Sequence, residues 1–108
     1  MNYIEKLFSL KGKVAVVVGG SGELGGEMSF ALSQAGAKVA VSYAGNKEGA
    51  TEQISRIESA GGTAMACQIN AISEDSIKSA ISKVIDEWGH IDILVNAPGV
   101  NSTTPIYI

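Results

Sequence analysis

Four short runs rich in β-branched and small apolar residues, Lys13–Val18, Lys38–Tyr43, Thr63–Ile69 and Ile91–Asn96, alternate with three stretches of helical spacing. In the first stretch Leu24, Met28, Ala31, Leu32 and Ala35 fall on one helix face, and in the second Ala50, Ile54 and Ile57 do so. The third carries a continuous stripe of Ile77, Ala80, Ile81, Val84, Ile85 and Trp88. Gly36, Gly61 and Gly89 each follow the last apolar residue of a helical pattern, where a left-handed residue closes a helix. Ser73, ahead of Glu74 and Asp75, suits an N-cap with two carboxylates against the positive helix end. Strands apolar on both faces, alternating with helices, predict a parallel sheet covered on both sides. Right-handed crossovers then favour an α/β fold: a three-layer, doubly wound parallel sheet of order 3-2-1-4, truncated after the fourth strand. Residues 1–108 read as one partial domain, with 1–12 as an N-terminal surface arm and 97–108 as a polar, turn-rich tail. There are no internal repeats, low-complexity tracts or interdomain linkers.

Eight Lys and Arg against eleven Asp and Glu give a net charge of −3, which supplies neither a footprint for nucleic acid nor a polybasic patch for a membrane. The longest purely apolar stretch, Val14 to Val18, is far too short to span a bilayer, and Glu5, Lys6 and Lys11 interrupt any signal-peptide pattern. A single cysteine, Cys67, excludes an internal disulfide and a cysteine zinc cluster, and suits a reducing cytoplasm. Glycine, by contrast, is in excess at 13 of 108 residues, and its placement carries the functional reading.

Directly after the first strand comes Gly19-Gly20-Ser21-Gly22-Glu23-Leu24-Gly25-Gly26, leading into the first helix. Gly20, Gly22 and Gly25 fit G-x-G-x-x-G between a strand and a helix, the context in which that pattern has meaning. Without Cβ atoms such a loop turns tightly and brings backbone N–H groups against a pyrophosphate at the positive helix end. The alternative is a tight strand-to-helix turn that holds no ligand. Glu23 either faces the pyrophosphate and repels it, or points to solvent in the first helical turn, where the dipole favours it. The second orientation is the expected one.

Together with this loop, Lys11-Gly12-Lys13-Val14, Asp92-Ile93-Leu94-Val95-Asn96 and Asn96-Ala97-Pro98-Gly99 resemble the N-terminal half of the short-chain dehydrogenase/reductase family, from about Leu10 to the last residue. The resemblance implies a Rossmann nucleotide-binding fold and a parent reaction of hydride transfer between a nicotinamide cofactor and a carbonyl or alcohol. It also places the family's catalytic Ser, Tyr and Lys on segments beyond Ile108. None of Ser102, Thr103, Thr104 or Tyr107 stands where it would replace them. In the family's Thr-Gly-x-x-x-Gly-x-Gly register, Val18 stands for the Thr and Glu23 for the middle Gly; a Gly19-x-x-Gly22-x-x-Gly25 register avoids that conflict, and both stay open. Carried over position by position, the implied cofactor contacts are Gly19, Ser21, Gly22, Glu23, Leu24 and Gly25 around the pyrophosphate, and Tyr43, Asn46 and Lys47 at the adenosine ribose. Gln68 and Ile69 would meet the adenine, and Asn96, Ala97 and Gly99 the crevice beside the first strand. Asp92 is implied as structural support on the adenine side, without chemistry.

NADP(H) is expected over NAD(H). From Val39 to Lys47 there is no carboxylate to bind ribose hydroxyls, and Ser42, Asn46 and Lys47 offer donors to a 2′-phosphate. Tyr43 and Lys47 match the spacing of the family's Tyr-x-x-x-Lys pair, but Gly45 argues for a loop and not the helical turn that chemistry needs. His90, the only histidine, has no Cys or second His nearby, so no metal is expected. Cys67 and Trp88 read as core. The expected partners are the dinucleotide and, only in a full-length parent, a small-molecule substrate. The fourth strand, as an uncovered edge, is expected to make the chain self-associate. The alternative is a non-enzymatic dinucleotide-binding or sensing module; S-adenosylmethionine is disfavoured because its usual ribose-binding carboxylate is missing.

Overall fold

The structure, a computed structural model, describes residues 2–70 and 72–97. Its elements run α1 (Tyr3–Phe8), β1 (Val14–Val18), α2 (Glu23–Gln34), β2 (Lys38–Tyr43), α3 (Lys47–Ser59), β3 (Ala64–Gln68), α4 (Glu74–Trp88) and β4 (Ile93–Asn96). The four strands form one parallel sheet of order β3-β2-β1-β4, the order expected from the crossover rule.

Side-chain alternation along each strand divides the apolar residues between two faces. Ala15, Val17, Val39 and Val41 pack with Ala50 and Ile57 of α3 and with half-buried Phe30 and Leu32 of α2. Val14, Val16, Ala40 and Cys67 pack on the other face with Ala80 and Val84 of α4. β1 is therefore buried on both sides from Val14 to Val17, which explains its uninterrupted apolar run. Gly36, Gly61 and Gly89 take φ of 110°, 87° and 86°, so each helix ends where its glycine indicated. Ser73 caps α4 by accepting from the Ser76 N–H.

Two sequence expectations are corrected. First, the stripe assigned to α2 is not its buried face. Leu24 is 71% exposed and Ala31 is exposed, whereas Gly25, Gly26, Ser29 and Ser33 are buried. Small residues win because the helix lies close to the sheet, and the hydroxyls are satisfied locally: Ser29 Oγ donates to the Gly25 carbonyl and Ser33 Oγ to that of Phe30, both at 2.8 Å. Secondly, only part of the α4 stripe is covered; Ile81 and Ile85 remain 40% and 43% exposed because the described chain lays nothing over that flank. The arm preceding β1 contains the short helix α1, capped by Asn2, none of whose residues is buried.

Candidate functional site

All four strands point the same way, so their C-terminal ends, Val18, Tyr43, Gln68 and Asn96, share one edge of the sheet. The chain leaves β1 over one face through α2 and returns to β4 through α4 on the other, which opens a crevice at the end of β1. Asn96 lies beside Val18 in the ladder, and the Ala97 N–H donates to the Val18 carbonyl at 2.8 Å. Asn96 and Ala97 thus stand at the mouth of the crevice; Pro98 and Gly99 lie outside the described residues.

The glycine loop is folded back on itself. Gly19 has φ of 80°, its carbonyl accepts the Gly22 N–H at 3.2 Å, and that carbonyl sits directly beneath Gly25. A Cβ on Gly25 would collide with it and would stand 2.9 Å from the Gly20 Cα, so only glycine fits between loop and helix. Gly22 is the N-cap of α2 and offers no side-chain acceptor, whereas Asn46 Oδ1 accepts from the Gly49 N–H at the start of α3. Among the described residues nothing accepts from the N–H groups of Glu23, Leu24 and Gly25. Three donors without an acceptor among the described residues therefore lie at the positive end of a twelve-residue helix, at the sheet edge. Glu23 is exposed in the first helical turn, as expected for a carboxylate favoured by the dipole.

Around this cradle the other named residues divide. Tyr43 ends β2, half-buried and paired with Gln68. Lys47 opens α3 and is exposed, sharing a shallow depression with Asn46, Glu48 and Glu52. Tyr43 and Lys47 belong to a strand and to a helix separated by Ala44–Asn46, so they do not form a helical Tyr–Lys pair. Gln68 is exposed and its amide donates to the Ala44 carbonyl at 3.1 Å, while its own carbonyl oxygen accepts from none of the described residues. Ile69 is only 6% exposed, packed into the cluster under α4.

Ser42 corrects the expectation that it is a phosphate donor. It is 1% exposed, and its Oγ accepts from the Gly19 N–H at 2.9 Å, so it holds the loop from beneath. Asp92 is corrected too. Its carboxylate accepts from the Val14 N–H at 2.8 Å and meets His90 at 2.9 Å, tying the starts of β1 and β4 at the edge opposite the loop. Cys67 is buried, and that burial pushes its thiol up, with Lys83 as a smaller opposing influence. Sequence reading missed Ser42's clamp and the approach of Gly49 to the loop, where a Cβ would stand 2.8 Å from the Ser21 carbonyl. A serine inside a β-branched run was the one signal available.

A family model described as short chain dehydrogenase matches residues 13–107. The chain is 38% identical over 94 residues to a trihydroxynaphthalene reductase of Pestalotiopsis fici, covering 87% of this chain and 33% of that protein. It is 36% identical over 100 residues to a 2-dehydro-3-deoxy-D-gluconate 5-dehydrogenase of Formosa agariphila, covering 93% of this chain and 38% of that one. Among solved structures, a dehydrogenase/reductase from Sinorhizobium meliloti superposes with a TM-score of 0.89 at 36% identity, covering 95% of this chain and 41% of the other. A short chain dehydrogenase from Burkholderia cenocepacia in complex with NADP superposes at 0.79, with 35% identity over 84% of this chain and 37% of its own. A 7 alpha-hydroxysteroid dehydrogenase complexed with NADH superposes at 0.82, with 33% identity over 89% and 37%. The chain spans between a third and about two-fifths of these proteins.

Proposed function

Because the chain belongs to the short-chain dehydrogenase family, we propose that it binds a nicotinamide dinucleotide at the uncapped start of α2 and forms the cofactor-binding half of an oxidoreductase. The single observation behind this reading is the cradle itself: three N–H groups without an acceptor among the described residues, over a loop that has room for glycine alone at position 25. Gly19, Ser21, Gly22, Glu23, Leu24 and Gly25 surround the pyrophosphate, the N–H groups of the last three donating to it. Tyr43, Asn46 and Lys47 border the adenosine ribose. Gln68 offers its free carbonyl oxygen to the adenine amino group and Ile69 an apolar wall; Asn96 and Ala97 line the crevice toward the nicotinamide, and Gly99, outside the described residues, is carried over from the family resemblance alone. The bound cofactor supplies hydride chemistry with a carbonyl or alcohol partner. In this reading the catalytic Ser, Tyr and Lys implied by the family resemblance come from outside the third to two-fifths of its relatives' length that this chain spans.

NADP(H) is the preferred cofactor in this reading. No carboxylate stands between Val39 and Lys47, and exposed Lys47 supplies a cation for a 2′-phosphate. Isothermal titration with NADPH, NADH and S-adenosylmethionine tests both parts. NADPH should bind more tightly than NADH, and S-adenosylmethionine should not bind. Lys47→Glu should weaken NADPH by about tenfold, equivalent to about 1.4 kcal/mol, and leave NADH nearly unchanged. Equal loss for both dinucleotides would remove the 2′-phosphate role, and no binding of either would remove the function. A reducing cytoplasmic location accords with the one free, buried cysteine. Self-association through β4 is proposed on its edge position beside an apolar face where Leu94 is 70% exposed.

A further inference from the structure

The β1–β2 ladder stops one residue short of the loop. Its last paired residues are Val17 and Val41, although β2 continues against β3 through Ser42 and Tyr43. At Ser42 the next rung is replaced by two bonds to the loop: Oγ accepts from the Gly19 N–H at 2.9 Å, and the main-chain carbonyl accepts from the Ser21 N–H at 3.2 Å. Gly19 is the pivot of the cradle. Its carbonyl takes the Gly22 N–H and supports Gly25, so any shift at Gly19 moves the first turn of α2. The Ser21 carbonyl, in turn, rests against Gly49.

Resting on the dinucleotide reading above, we propose that Ser42 is a positioning residue for cofactor binding: its hydroxyl oxygen fixes Gly19 and thereby holds the three amides of Glu23, Leu24 and Gly25 at the height a pyrophosphate requires. At 1% exposure Ser42 touches no ligand; it acts through the loop. A valine or alanine at this place, the residue types that fill the strand around it, would leave the Gly19 N–H without its acceptor and free the pivot.

The test compares three ligands on the chain and on Ser42→Ala. NADPH and NADH both carry the pyrophosphate, whereas 2′-AMP carries the 2′-phosphate without it. Isothermal titration should show NADPH and NADH weakened by the same factor, about tenfold, with 2′-AMP unchanged. In the ligand-free protein, amide hydrogen exchange at Gly19 should accelerate in Ser42→Ala while Val16 and Val41 keep their protection. Ser42→Thr, which retains the oxygen, should restore both readouts. Loss confined to NADPH and 2′-AMP would make Ser42 a direct phosphate ligand and overturn the proposal, as would unchanged affinities for all three. Should Ser42→Ala fail to fold, Ser42→Cys keeps the volume, offers a weaker acceptor and carries the same comparison. If the unaltered chain binds neither dinucleotide, the function itself falls; if it binds both and the variant matches it, only the role of Ser42 falls.

Discussion

A methyl group on Gly25 would meet the Gly19 carbonyl and the Gly20 Cα, backbone atoms that cannot rotate away. Its neighbour Gly26 differs: the nearest atoms a Cβ there would meet belong to the side chain of Gln53, which can. Gly25→Ala should therefore cost about 1–3 kcal/mol in thermal unfolding and lower dinucleotide affinity by at least about tenfold. Gly26→Ala should be milder on both counts. A Gly25→Ala chain with native stability and binding would show that the loop can slide off the helix. The two glycines are equivalent in the sequence, because no local pattern reveals which one lies against main chain and which against a movable side chain. Ser42 shows the same gap. Its residue type suggested a donor to phosphate, and only its burial shows that its oxygen serves Gly19.

Helices α2 and α4 differ in how much of their packing was legible. Ala80 and Val84 of α4 are buried as its apolar stripe predicts, and the helix begins at the serine that the capping rule selects. Ser73→Ala should cost about 1 kcal/mol, seen as a lower denaturation midpoint with an unchanged slope. On α2 the periodicity misled, since a face of Gly and Ser carries almost no hydropathy signal although it permits the closest approach to the sheet. What ties α2 to α3 was likewise unreadable. The Arg56 guanidinium lies 3.9 Å from the Phe30 ring centre and reaches both Glu27 oxygens, at 2.8 and 3.3 Å. Its hydrogen bond, and secondly its charge, hold the Glu27 carboxyl below the usual carboxylate range. Since the folded pKa is the lower one, the stabilisation is present above the unfolded value and lost as pH falls through the folded value. Arg56→Ala should therefore be less stable at neutral pH, and the difference should shrink on acidification, without vanishing because the stacking on Phe30 is also lost. A difference independent of pH in urea denaturation would assign the whole effect to that stacking.

At the scale of the molecule, the sheet is dressed unevenly. Among the described residues, one face carries α2 and α3, whereas the other carries α4 alone and leaves an apolar groove of about 310 Å³ between Ile77 and Ile81 of α4 and Val16, Val18 and Leu94 of the sheet. β4 forms the adjoining edge of the sheet, and no charged residue interrupts Ile93–Asn96. Edges without such guards pair with other chains. Sedimentation velocity should find the unaltered chain heavier than its 11.1 kDa monomer, and Leu94→Lys should shift it toward that mass. A stable monomer that unfolds cooperatively, with or without Leu94→Lys, would refute association through this edge.

Layer architecture, strand order, helix ends and the position of the glycine loop were all readable from the order of the residues. These follow from short-range periods, from left-handed positions that glycine fills, and from the handedness of crossovers, all of which are written locally. Which face of α2 is buried, that Ser42 holds the loop, and that Asp92 joins strand starts at the edge away from it emerged only from the folded chain. Each of those depends on what lies across a gap of many residues, and a side chain's type does not say which neighbour the fold will bring to it.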